Sequence, residues 1–94
     1  MPRYVLLSTL TDEGLGTIAE KPERILEVNR EVEQMGAKII DQYALLGPYD
    51  FLTIIEAPDN ATVARISVKL GERGTVKIMS LPAIPTEEFV KSIK

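Results

Sequence analysis

The apolar positions of this chain fall into runs whose spacing alternates between a strand period and a helix period. The run RYVLLSTL at residues 3–10 is short and rich in β-formers, and the TDEG behind it carries turn chemistry, which predicts a strand followed by a loop. A short helical turn is expected around Leu15 to Ala19, and Pro22 suits the first turn of a longer helix, where its missing N–H costs nothing. From there Ile25, Val28, Val32 and Met35 recur at i, i+3, i+7 and i+10, one apolar stripe at helical period. Glu27 and Glu31 lie off that stripe with Arg24 and Arg30, and Gly36 supplies a left-handed stop.

Ala37 to Leu46 and Phe51 to Ala57 read as two strands rich in Ile, Leu, Tyr and Phe, joined only by Gly47-Pro48-Tyr49-Asp50, so they should pair as an antiparallel hairpin. A two-residue loop needs φ > 0 at its first central residue, and Pro48 is locked near φ ≈ −65°. A wider loop on a type I turn therefore fits, with Pro48 at i+1 and Tyr49 at i+2. Asp59 or Asn60 can cap a second helix, in which Val63, Ile66 and Leu70 share a face before Gly71 and Gly74. Thr75 to Leu81 reads as a fourth strand. Pro82 and Pro85 break the chain, and residues 86–94 form a short tail helix offering Phe89, Val90 and Ile93.

The order is β-α-β-β-α-β plus a tail, the split arrangement of a ferredoxin-like α+β fold, as one domain over residues 1–94. Right-handed crossovers place both helices on one face of a four-stranded antiparallel sheet. The other face is left bare. A half-wet sheet should alternate cleanly between apolar and polar residues, yet both alternations here are apolar. Val5 and Leu7 oppose Tyr4, Leu6 and Leu10; Phe51 and Ile55 oppose Leu52 and Ile54; Val76 and Ile78 oppose Met79 and Leu81. One of these sets would form a patch larger than soluble monomers usually carry, which predicts a homodimer or higher homo-oligomer.

Composition sharpens that expectation. Ninety-four residues at 45% apolar content make a domain too small to bury much of its own surface, and association adds burial. The net charge of −3 comes from interspersed charges with no basic stripe, which disfavours nucleic acid as a partner. The chain has no cysteine and no histidine, which removes thiolate metal sites, Ser-His-Asp and Cys-His nucleophiles and any imidazole base. No cofactor is expected. YVLLSTL is too short to span a membrane and lacks the layout of a signal peptide, so the expected setting is cytoplasmic, without membrane contact.

The segment Gly47-Pro48-Tyr49-Asp50-FLTIIEAPD, with Tyr43 ahead of it, resembles the signature of the GYD domain family. The opening from Tyr4 to Gly14, the LGERGTVKI stretch and the closing LPAIPTEEF fit as well, so the resemblance spans nearly the whole chain. The family is similar to the dimeric α/β-barrel superfamily, whose members pack two open sheet faces together. The resemblance thus implies the cover that the strand pattern demands, and it implies no reaction.

Three function classes follow. A small homo-oligomeric module would bind a small organic molecule in or near the barrel between sheets, as do the effector domains of leucine-responsive regulators, which share that fold. A cofactor-free enzyme of the monooxygenase or isomerase type is the alternative, although several barrel enzymes of this superfamily depend on the histidine that this chain lacks. A purely structural assembly subunit is the third. For the enzyme, Asp50 is the best single candidate for acid or base, ahead of Asp41, Glu56 and Lys77, and burial would have to shift its pKa by several units. Tyr43, Tyr49, Asp50 and Lys77 are the expected ligand-binding residues. Each has a plain structural role beside it: Asp50 bonded back to turn amides, Lys77 as a solvated strand charge.

Overall fold

A computed structural model describes residues 1–94. The elements are β1 (Arg3–Leu10), α1 (Asp12–Glu20), α2 (Arg24–Gln34), β2 (Lys38–Ala44), β3 (Phe51–Glu56), α3 (Asn60–Gly71), β4 (Val76–Ala83) and α4 (Thr86–Ile93). The strands form one sheet in the order β2-β3-β1-β4, every neighbouring pair antiparallel. The β2–β3 hairpin inserts β3 beside β1, so β1 and β2 run parallel with β3 between them. This is the expected α+β, ferredoxin-like arrangement.

Strand register sorts the side chains. Tyr4 lies opposite Ile55 and Pro82, Leu6 opposite Thr53 and Ser80, and Ser8 opposite Phe51 and Ile78. This alternation faces the helices. Ile55 and Ile66 are fully buried at 0%, and Tyr4, Leu6, Val32, Val63 and Leu70 join the same cluster from β1, α2 and α3, with Ala37 and Ala57 beside them. A buried tyrosine hydroxyl needs a partner. Tyr4 donates to Asn60 Oδ1 at 2.6 Å, which ties the central strand to the start of α3. The other alternation has no such roof: α4 buries none of its residues, and Met79 and Tyr43 remain 48% and 54% exposed.

Three expectations are corrected. TDEG is not a loop: Thr11 is the N-cap of α1, accepting from Gly14 N–H at 3.2 Å, and Asp12 and Glu13 form an acidic first turn that suits the helix dipole. The helix occupies nine residues, not a single turn. Pro82 does not end the fourth strand, which continues to Ala83. β4 is an edge strand, where a missing N–H leaves no neighbour unpaired. The second-helix cap is as expected, Asp59 accepting from Thr62 N–H at 2.8 Å.

Gly14 explains why α1 needs a glycine inside it. A Cβ there would stand 2.0 Å from the carbonyl oxygen of Thr75, so helix and β4 loop touch backbone to backbone. Thr11 fastens the same junction, its N–H donating to Thr75 O at 3.0 Å and its hydroxyl to Gly74 O at 2.7 Å. Gly16 has open space around its Cα and is free of this constraint. Gly14→Ala is therefore expected to lower stability by about 1–3 kcal/mol through overpacking, while Gly16→Ala leaves it unchanged or raises it slightly. Urea denaturation of the two variants checks the contrast.

Candidate functional site

Two surfaces stand out, one on each side of the sheet. The open side is built in rows. Tyr43, Leu52, Leu7 and Met79 follow one another across all four strands, and the next row is Asp41, Ile54, Val5 and Leu81. Charges stand at the margins: Lys77 beside Thr9 at one end, and Lys38, Glu56 and Arg3 at the other, where Arg3 Nε meets the Glu56 carboxylate at 3.4 Å. An apolar centre inside a charged rim is the anatomy of a protein–protein contact.

The expected ligand residues do not gather at one point. Tyr43 is on edge strand β2 and Lys77 on the opposite edge β4, with β3 and β1 between them. Three strand steps of ~4.8 Å plus a two-residue offset along β4 set their backbones roughly 16 Å apart. Tyr49 leans from the hairpin loop toward the same face, its hydroxyl 3.9 Å from Met79 Sδ. Asp50 points elsewhere. Its carboxylate accepts from Leu10 N–H at 2.7 Å, its own N–H donates to Ser8 O at 2.8 Å, and its carbonyl accepts from Leu45 N–H at 2.8 Å. One residue thus closes the hairpin and bolts it to the end of β1. Only one of its two carboxylate oxygens, Oδ2, makes the bond to the Leu10 amide.

The loop itself is wider than a tight hairpin. It closes through the Leu45–Asp50 bond and passes through Gly47 at φ +114°, a left-handed value that favours glycine.

On the helix side lies a cavity of about 290 Å³ between the sheet and the helices α1 and α2. Its floor includes Leu6 and Phe51, its roof Ile18, Ile25 and Val28. Inside it Asn29 and Gln42 exchange amide hydrogen bonds at 2.7 and 3.1 Å, and Gln42 also donates to Thr53 Oγ1 at 3.1 Å. None of Tyr43, Tyr49, Asp50 or Lys77 lines it. The residues that do are scattered along the chain, with no local motif to announce them.

An ion-pair chain runs along the mouth of this cavity. Lys21 Nζ meets Glu27 at 2.8 Å, Arg24 Nη1 meets Glu27 at 3.1 Å and Glu31 at 3.3 Å, and Arg73 pairs with the other oxygen of Glu31. The chain joins the start of α2 to the turn before β4. Hydrogen bonding from Lys21, then Arg24, holds the Glu27 carboxyl below its ordinary value, and Arg73 does the same to Glu31.

The geometry defines a class: a split βαββαβ module with helices on one face and an apolar, unroofed sheet on the other. The chain belongs to the GYD domain family, which matches residues 4–93. It is also similar to a protein of Thermus thermophilus named glutamine synthetase and cystathionine beta-lyase binding protein. The two are 50% identical over 95 aligned residues, covering the full length of both. No helix is long and apolar enough to cross a membrane.

Two outcomes test these contacts. Asp50→Ala strands the Leu10 amide and should cost about 1–3 kcal/mol, whereas Asp50→Asn keeps an acceptor oxygen and should cost less; chemical denaturation distinguishes them. For the ion-pair chain, both carboxyls are depressed from 4.5 in the folded state. Their contribution is therefore present above that value and lost as pH falls through the lower folded-state pKa. Glu31→Gln should flatten the acid limb of the stability curve, read as Tm against pH from about 6 down to about 3.

Proposed function

We propose that this chain is a self-associating binding module that docks onto enzymes, glutamine synthetase or cystathionine β-lyase among them, and whose cavity holds a small organic molecule. The open apolar sheet face carries the proposal. Leu7, Leu52, Ile54 and Val5 sit at its centre with charges only at the margin, and its own tail helix does not cover it. A second copy, sheet against sheet, is the occupant. The register gives each subunit the same apolar rows, so a two-fold arrangement matches like with like. Such a dimer buries on the order of 1,200–2,000 Å².

Enzyme docking is supported by the relative's name and by the full-length, 50% identity to it. With the sheet face occupied by a twin, the outer helix surfaces and α4 are left for the enzyme. The ligand part rests on a different feature, the cavity under α1 and α2, which favours small-molecule binding on the helix side of each subunit over a site between the sheets. The candidate catalytic aspartate anchors the hairpin through one carboxylate oxygen and does not line the cavity, so a binding role fits the geometry better than acid–base chemistry there.

Sedimentation equilibrium at micromolar concentration should report a dimer or a multiple of it, and Leu7→Glu, which puts a charge at the centre of the patch, should give a folded monomer. Purified glutamine synthetase and cystathionine β-lyase are immobilised in turn, and at least one of them should retain the wild-type chain. A stable wild-type monomer would sink the self-association, and failure of both enzymes to bind would sink the docking.

A further inference from the structure

The ligand part of that proposed function acquires a chemistry when the wall of the cavity is read for charge. The chain as a whole carries 14 acidic against 11 basic residues. Of the 20 residues lining the cavity, two are charged, and both are arginines, Arg24 and Arg73; no carboxylate lines it. An acidic protein has thus placed only cations among the charged groups that line this apolar hollow. We propose that the cavity binds a small organic acid, one carboxylate on an apolar body, with the carboxylate at Arg24 and Arg73 and the body between the sheet and α1/α2.

Both guanidinium groups have donors to spare. Arg24 meets Glu27 and Glu31 through Nη1 alone, and Arg73 meets Glu31 through Nη2 alone. No other hydrogen bond occupies their remaining nitrogens. A guanidinium presents five N–H donors in a planar fork suited to a carboxylate. Glu31 already shows that one carboxylate reaches both arginines, since its two oxygens are divided between them. The mouth is therefore arranged for an anion whose charge the existing pairs do not consume: Lys21, Arg24 and Arg73 stand against Glu27 and Glu31, three cations to two carboxylates.

Size and lining fix the body. At ~30 Å³ per water-sized group, 290 Å³ holds about ten such groups, the scale of a medium-length acyl chain or a substituted ring. Ile25, Val28, Phe51, Val76 and Ile78 are only half-buried because their side chains look onto this space. The Asn29–Gln42–Thr53 amide network lies in the same wall and offers one polar feature to a ligand that carries a second heteroatom.

The probes are hexanoate, octanoate, decanoate and the uncharged 1-octanol, titrated calorimetrically into the intact protein. Octanoate is expected to bind at one per chain, each added methylene raising affinity about fourfold until the cavity is full. Arg24→Gln should weaken octanoate at least tenfold and leave 1-octanol unchanged. Ile25→Trp, which fills the hollow, should abolish octanoate binding, with Val28→Phe as the milder version if circular dichroism shows Ile25→Trp unfolded. Equal affinity for octanoate and 1-octanol would overturn the acid as ligand class. Binding that survives Ile25→Trp but is lost in Leu52→Trp would overturn the location while leaving a small-molecule site between the sheets. If none of the four probes binds, the cavity proposal falls and enzyme docking, read by retention on the immobilised enzymes, stands or falls separately.

Discussion

The constraint on which the rest depends is that one four-stranded sheet has two apolar faces and helices enough for one. A right-handed crossover after β1 and another after β3 carry α1, α2 and α3 to the same side. No helix packs on the other side: α4 buries none of its residues, and Tyr49 alone leans over that face from the hairpin loop. An isolated domain of this size buries little: 12 of its 94 residues are buried, so the molecule holds together around a thin layer centred on Ile55 and Ile66. Covering the open face from outside adds burial that the chain cannot supply from within. Any molecule that covers that face therefore stabilises the fold as it binds.

The thin core has a second consequence. The layer between sheet and helices is well packed where Tyr4, Ile55, Val63 and Ile66 meet, and hollow at the α1 end. The asymmetry arises from the two crossovers. α3 is one helix of 12 residues laid directly on the sheet, whereas the first crossover is divided between α1 and α2 by the Lys21–Glu23 turn. The cavity lies beneath both of them, and Arg24 and Arg73 of the Lys21–Glu27–Arg24–Glu31–Arg73 chain line it.

Much of this framework is legible from residue spacing. The stripe Ile25, Val28, Val32 and Met35 marks α2, Asp59 marks the start of α3, and the doubled apolar alternation of β1, β3 and β4 marks a sheet with two oily sides. These signals are local or periodic, and each residue type has one dominant physical use in its position. α1 is hidden because its signals point both ways. Thr11, Asp12, Glu13 and Gly14 serve a turn as readily as a helix start, and only the approach of Thr75, from the far end of the chain, shows that Gly14 is small for packing reasons. Pro82 misleads for the same reason, since its acceptability rests on β4 being an edge.

The candidate site is less legible still, because a cavity has no sequence period. Arg24 and Arg73 are separated by nearly the whole middle of the chain, and as isolated residues each is an ordinary surface cation. What distinguishes them is a shared neighbour, Glu31, and a wall from which acids are missing. The conspicuous residues behave in the opposite way: Tyr49 and Asp50 catch the eye in the sequence, yet the aspartate spends its carboxylate on the Leu10 amide and so sets the position of the hairpin. That hairpin places Tyr43 and Leu52 on the open face in register with Leu7 and Met79. The loop motif therefore acts through geometry, by aligning a row of apolar side chains across the open face.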